Sequence, residues 1–486
     1  MAGDVRADAE AQSIEARLTR LEAALAERDR ALAERDARIE ELTKQVAELT
    51  EKLNQNSKNS HLPPSSDGPG AGSRRGAPSP KKSKSKRKRG GQKGRRGAHR
   101  ELAAPEDVDT FIDLFPPACS GCAAALPEAL DPDAARYQQL DLDDHGPHLT
   151  EWRCHGVDCP ACGMRTRAAY DRSQIPSSAF GPRLVATVVL LTGVYHLSRR
   201  KTQRLLHELF GISISLGALS AMERRSIAAL EPAYEEAKQA VEQALVKHTD
   251  ATSWLLSGVL TSLWTIASAS ATVYAIFANG CRETIRPFFG ACRGILVSDR
   301  ATVFSFWVMA MRQICWAHLL RKFVSFSERD GPAGRFGREL LEYAGLVFEY
   351  WQGFRDGQLT REELAGWLAP VRRHFERTLE AAAKADVARL SGACADILAH
   401  QEALWTFVSE EGVEPTNNHA ERELREFVLW RKRSFGAQSE RGERFAERVM
   451  TVARTARKQG KAVLEFLVRS IEARQEGTAA PQLIGA

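Results

Sequence analysis

Two aspartates close apolar, β-prone runs in this chain: Leu245-Val246-Lys247-His248-Thr249-Asp250 and Gly294-Ile295-Leu296-Val297-Ser298-Asp299. Carboxylates at the ends of neighbouring strands can converge on the same divalent ions. In phosphodiester cleavage one ion activates the attacking oxygen and another stabilises the leaving oxygen. Mg²⁺, or Mn²⁺ in its place, takes oxygen ligands and keeps several waters, so two or three carboxylates suffice for a pair of ions. A single strand-end aspartate is usually a turn or cap residue; here the arrangement occurs twice.

The candidate third carboxylate is Glu421, in Thr416-Asn417-Asn418-His419-Ala420-Glu421-Arg422. Asn417 can cap a helix and leave Glu421 in its first turn, where the helix dipole favours an acid. A helix start is also where a rigid carboxylate can be aimed at strand ends. Arg425 follows one turn later and Lys432 three turns later on the same face, with Arg431 beside it, a stripe suited to DNA phosphates. Among the rival acids, Glu423 points roughly 200° away on the helix wheel. Glu426 lies off the stripe, and Glu414 precedes Pro415, outside the helix. By this reading Glu423→Gln is nearly silent.

Four of the nine cysteines form two CxxC pairs, Cys119 with Cys122 and Cys159 with Cys162, each in turn-prone sequence. Two such loops can close a tetrahedral, structural Zn²⁺ site with no position left for water. Cys154 and His155 are possible substitute ligands. Cys315 and His318 offer only two further ligands and read better as residues shaping the back of the active site. This cysteine usage suits a reduced, cytoplasmic compartment rather than a secreted disulfide scaffold.

Several kinds of element must position these groups. Residues 12–53 carry a heptad pattern with one seam at Leu18, Leu25, Leu32, Ile39, Val46 and Leu53; the other runs through Ile14, Leu21, Arg28, Arg35, Leu42 and Leu49. Such seams predict a coiled coil and therefore a homo-oligomer. Residues 54–100 are a Pro/Gly-rich linker ending in a basic run. Residues 74–100 hold thirteen Lys or Arg and no acid, against a net charge of only +6 for the chain. Lys81, Lys82, Lys84, Lys86, Arg87, Lys88 and Arg89 are its densest part, and they predict salt-sensitive, non-specific contact with a DNA backbone. Residues 110–170 hold the cysteine pairs.

Residues 183–230 read as helical. Arg199–Phe210, a turn at Gly211 and a second helix from Leu216 capped by Ser215 fit a helix-turn-helix, and equally an ordinary helical hairpin. Arg199, Arg200 and Lys201 decorate its first helix. Residues 240–324 read as three antiparallel strands (Leu245–Asp250, Leu263–Ile266, Thr272–Phe277) followed by strand–helix units at Ile295–Ser298 and Gln313–Trp316. The uncharged stretch from Ala251 to Cys281 has the length of a membrane span, but its Ser and Thr residues and Gly258 mark it as a buried hairpin. Residues 325–412 read as a helical insertion with Trp351, Trp367 and Trp405 in its core. Residues 413–475 complete the catalytic core with basic helices. The fold class is multidomain α+β: a coiled coil, a zinc-binding domain, a helix-turn-helix or helical hairpin, and a mixed sheet that matches an RNase-H-like domain.

The order of motifs resembles that of the transposases of the insertion sequence 66 family. The resemblance rests on Gln55-Asn56-Ser57-Lys58-Asn59-Ser60, Pro63-Pro64-Ser65-Ser66-Asp67, Gly90-Gly91-Gln92-Lys93-Gly94, the cysteine pairs, Ser298-Asp299, Cys315-Trp316-Ala317-His318, the run from Thr416 to Arg422, and Trp430-Arg431-Lys432. It implies a helix-turn-helix and an RNase-H-like catalytic domain with a helical insertion. It also implies an acidic triad of Asp250, Asp299 and Glu421, double-stranded DNA (element ends and target) as partner, possible accessory transposition proteins, no membrane, and a bacterial, nucleoid-associated location. The implied activity is Mg²⁺-dependent cleavage and strand transfer. The alternative is a decayed copy acting as a DNA-binding repressor or scaffold. Ala251 departs from the family's pattern, which has an acid directly after the first aspartate.

Overall fold

The computed structural model describes residues 178–485 continuously and, before them, residues 27–30, 32–43, 45–46, 50, 104–107, 147–149, 156–158 and 165–167. The expected zinc ligands Cys119, Cys122, Cys159 and Cys162 lie outside the described residues, as do Cys154 and His155. So do the basic linker residues Lys81, Lys82, Lys84, Lys86, Arg87, Lys88 and Arg89. By internal contacts the chain divides into two units, the smaller being Arg75–Ala169 with Leu206–Ile212. In that unit strand β1 (Gly156–Asp158) pairs antiparallel with β2 (Arg165–Arg167). Cys159 and Cys162 fall between these strands in sequence, whereas Cys119 and Cys122 precede both.

The larger unit includes α1, helical at residues 27–30, 32–43, 45–46 and 50. The seam residues Leu32, Ile39, Leu42 and Val46 are 45–61% exposed. After α2 (Pro182–Val189), helices α3 (Arg199–Phe210) and α4 (Leu216–Ala229) occupy the spans read from sequence. Gly211 takes φ +64°, and the Ser215 side chain accepts the Ala218 N–H as the N-cap of α4. Helix α5 (Glu231–Gln243) leads into the sheet, and a single-turn α6 (Arg282–Ile285) follows the third strand of that sheet.

The sheet has five strands in the order β5-β4-β3-β6-β7. They are β3 (Val246–Leu256), β4 (Val259–Ala267), β5 (Thr272–Phe277), β6 (Ile295–Ser298) and β7 (Arg312–Ile314). The first three are antiparallel, while β6 and β7 run parallel to β3. A two-residue turn joins β3 to β4, with positive φ at both Ser257 and Gly258, the geometry that matches strand twist in a tight hairpin. The uncharged stretch from Ala251 is therefore sheet, and no helix among the described residues is long and apolar enough to cross a membrane.

Both sheet edges are covered. On β5 the outward Thr272, Tyr274 and Ile276 N–H groups donate to Thr455, Thr451 and Glu447 of α13 (Glu440–Lys458). This satisfies donors that would otherwise recruit another strand. On β7 the Gln313 side chain donates to Leu404 O and accepts from Phe407 N. This anchors the helices inserted after the sheet: α7 (Trp316–Ser327), α8 (Gly331–Arg355), α9 (Arg361–Lys384), α10 (Ser391–Ala399) and α11 (Thr406–Ser409). Their core contains Trp351 and Trp405. Trp367, expected in that core, is 54% exposed and stacks on Tyr350 instead. It lies beside Leu368, and Leu364, Leu368 and Val371 form the stripe of α9 that is buried. Helices α12 (Asn418–Ser434), α13 and α14 (Val463–Glu476) complete the chain.

Candidate active site

The parallel pairing of β3 and β6 sets the first two acids. Its last recorded pair is His248↔Val297. Asp250 and Asp299 each lie two residues further, so they stand level on neighbouring strands. Asp250 does not end its strand, as the sequence suggested. It is the fifth residue of an eleven-residue β3, which carries on because Ala251–Leu256 pairs with β4. What ends near Asp250 is the partnership with β6. A ligand site outside the carboxyl ends of parallel strands is the usual arrangement in open α/β sheets.

Beside β6, Ser298 pairs with Ile314 of β7, which brings Cys315 level with Asp299. Cys315 is the N-cap position of α7, and its N–H donates to Ser298 O at 2.9 Å. His318 and Arg321 follow on the first turns of α7. The segment before α12 is tied to the same corner: Trp316 N–H donates to Pro415 O, and Asn417 N–H donates to the Cys315 sulfur at 3.1 Å.

Asn417 occupies the N-cap position of α12 without capping it. Its side-chain amide instead donates to Thr249 O at 2.7 Å and faces His248 Nδ1 at 3.3 Å. A buried asparagine thus fastens the start of α12 to β3, one residue from Asp250. That brace sets where Glu421, in the first turn, is held. Glu421 lies 3.7 Å from an Arg321 nitrogen and 4.0 Å from His318 Nδ1. Cys315, His318 and Glu421 offer ligand atoms within 4.8 Å of one another. The Glu421 Oε1 and His318 Nδ1 atoms are buried without a hydrogen-bond partner.

The electrostatics follow from this packing. Burial pushes the Asp250 carboxyl up to about 7, and the negative charges of Asp299 and Glu421 push the same way. The Ala251 N–H, donating to Asp250 Oδ1 at 2.8 Å, and Arg321 oppose the rise. Asp250 keeps partial solvent access, yet protein surrounds it closely. Asp299 is steadied by the Ala301 N–H at 3.0 Å, while the buried Arg312 guanidinium donates to its backbone oxygen and to Ser298 Oγ.

A carboxyl raised above its unfolded value destabilises the fold once pH exceeds that value; stability present near pH 4 is lost as pH rises through about 7. Asp250→Asn is therefore expected to stabilise the metal-free protein at about pH 8 by up to roughly 4 kcal/mol, less as water reaches the carboxyl, and to change little at about pH 4. Urea unfolding with chelator present tests this. An equal effect at both pH values would mean that Asp250 is not held protonated.

A family model described as transposase IS66 family matches residues 177–444, more than half of the chain. The chain belongs to the IS66 transposase family. All three acids fall inside the matched region, as do the sheet and the inserted helices. Membership makes this chain a transposase, a DNA-processing enzyme in the general sense. A second model, for a family of unknown function, matches residues 3–101. No curated protein matches the chain.

The cationic candidates of this IS66 transposase divide by their surroundings. Arg200, Lys201, Arg425 and Lys432 are exposed. Arg199 is paired with Glu223, Nε to Oε2 at 2.8 Å. The Arg431 guanidinium is drawn onto β3, where it donates to Ser253 and to Thr252 Oγ1. It fastens the end of α12 to the strand that carries Asp250. Nothing in the sequence singles out Arg312 or the Asn417 brace, whose partners lie 14 and 168 residues away.

Proposed function

We propose that this transposase cuts and joins DNA at the ends of its own element, with Asp250, Asp299 and Glu421 holding two divalent cations. The reading is supported by the parallel register that sets Asp250 and Asp299 level on neighbouring strands, by the charge that Asp299 and Glu421 exert on Asp250, and by a Glu421 oxygen left buried without a hydrogen-bond partner. Such a set fits hard, oxygen-seeking ions. Bound Mg²⁺ or Mn²⁺ would supply Lewis acidity to the attacking and leaving oxygens. The chain's own residues do the rest. Arg321 offsets the charge of Glu421, Asn417 fixes the helix that bears it, and Arg312 fixes the strand end that bears Asp299. The sheet order supports an RNase-H-like core, with α8–α11 as its helical insertion.

For DNA we assign the linker Lys81–Arg89, Arg200 and Lys201 on a helix-turn-helix of α3 and α4, and Arg425 and Lys432 on α12. Purified protein, Mg²⁺ and a labelled duplex carrying the element's end should give nicked and joined products. DNA bound with no product would leave the binding-only repressor, which Ala251 beside Asp250 favours.

We assign Cys119, Cys122, Cys159 and Cys162 to one structural Zn²⁺ and the heptads of residues 12–53 to pairing of two chains. Native mass spectrometry of the full protein should then show two chains and about one zinc per chain, as a closed four-ligand site implies. Zinc kept after joint Cys159→Ser and Cys162→Ser substitution would remove that assignment, and a monomer at micromolar concentration would remove the pairing.

A further inference from the structure

We propose that Phe435 is a wedge that enters the base stack of bound DNA. The proposal rests on the reading of this chain as a DNA-cutting enzyme and adds a mechanical part to it. Phe435 follows α12 and is 71% exposed. Its φ is +56°, a left-handed conformation that a bulky side chain rarely takes. At a helix C-terminus that place usually falls to Gly or Asn. The left-handed backbone costs stability, the exposed ring recovers none of that cost by burial, and strain held at such a residue points to function.

The backbone around Phe435 is held firmly. Its N–H donates to Arg431 O at 2.8 Å. Gly436 has φ +83°, and a Cβ there would overlap Leu255 O, so the chain passes directly against β3. Ala437 then exchanges backbone hydrogen bonds with Leu255 and Ser257, both at 2.8 Å. Val259 and Leu260, 67% and 66% exposed, stand on the adjoining hairpin tip. Among the described residues the Phe435 ring meets no other aromatic ring. The result is a rigid apolar knuckle facing water.

Charge selects the occupant. From Phe427 to Ser439 there are three basic residues, Arg431, Lys432 and Arg433, and no acid; the hairpin from Ala251 to Cys281 is uncharged. An apolar tip beside cations suits a polyanion with stacked rings inside, and side chains such as Phe and Leu part base steps in this way. Phe435 lies fourteen residues beyond Glu421 along α12. That is about 21 Å at the helical rise, or roughly six base pairs of duplex. The wedge would open the step about half a helical turn from the bond being cut.

The test uses the full protein, Ca²⁺ in place of Mg²⁺, and end-containing duplexes with 2-aminopurine at successive positions. Wild type should raise the fluorescence about half a turn from the cleavage site and should prefer a duplex mismatched there by about tenfold, since a mismatch removes part of the unstacking cost. Phe435→Gly deletes the ring and relaxes the backbone, so melting should stay at or above wild type. Phe435→Asn also tolerates positive φ. Both should lose the fluorescence rise and the mismatch preference while binding intact duplex within about twofold of wild type. DNA bound by wild type with no fluorescence rise overturns the wedge, and so does a rise kept by both variants. Loss of self-association in either variant makes Phe435 a contact between copies and overturns it too. Failure of wild type to bind DNA at all would strike the underlying reading instead.

Discussion

Asp250→Asn and Asp299→Asn are each expected to abolish cleavage and joining while leaving DNA affinity within about twofold, because phosphate contacts made elsewhere carry the affinity. Asparagine keeps the shape of each side chain and removes the charge that would hold a cation. The local bonds survive the change: a side-chain oxygen can still accept the Ala251 N–H at position 250 and the Ala301 N–H at position 299. The strands stay in register because their pairing lies before the acids. The loss should be at least about 10³-fold, the size of about 4 kcal/mol of transition-state stabilisation. Product formation on labelled duplex in Mg²⁺ measures it. Normal cleavage by either variant would exclude that residue from the reacting centre.

The second expectation separates two acids on one helix. Glu421→Gln should lose cleavage by a similar factor with its melting temperature nearly unchanged. Glu423→Gln should do the reverse. The expectation that Glu423→Gln is nearly silent is kept for cleavage and changed for stability. It is 9% exposed and faces the sheet side, where Tyr274 Oη donates to it at 3.3 Å. Lys458 and Arg454 lie 3.3 and 3.5 Å from its carboxylate. His419 approaches at 3.7 Å and accepts a hydrogen bond from Lys458 at 2.8 Å. Neutralising Glu423 takes the carboxylate from Lys458, while Arg454 keeps Glu426 at 2.9 Å, at a cost of about 3 kcal/mol for a broken buried pair. For a unit of this size that lowers melting by on the order of 5–10 °C. Cleavage lost in Glu423→Gln and retained in Glu421→Gln would show that the third acid is misassigned. The helix wheel correctly separated the two faces of α12; it could not say which face meets the sheet.

Local pattern determined most of the elements. Thr272–Phe277 and Ile295–Ser298 are short β-branched runs bounded by turn residues, and they form strands at those bounds. The Gly211 and Ser215 punctuation marked α3 and α4 for the same reason: positive φ and an N-cap are properties of single residues. The three acids were legible as types in suggestive places, and the family match covers all of them. The heptad seam was legible too, because a period is a property of sequence.

What the sequence could not decide depends on residues far apart in the chain. Asp250 and Asp299 are level only because β3 and β6 pair in parallel at one register, a choice made by forty-eight residues of intervening fold. Asn417 has the composition of a helix cap, yet tertiary packing turned its amide onto Thr249 O and His248. Arg431 has the composition of a phosphate contact, and docking also makes it a brace, because β3 presents Ser253 and Thr252 where its guanidinium arrives. Trp367 was large and apolar enough for the core, but the turn of α9 left it outside. Side-chain type sets what a residue can bind. Which partner it meets is fixed when helices and strands dock, since burial and hydrogen-bond satisfaction are settled among all neighbours at once and not along the chain.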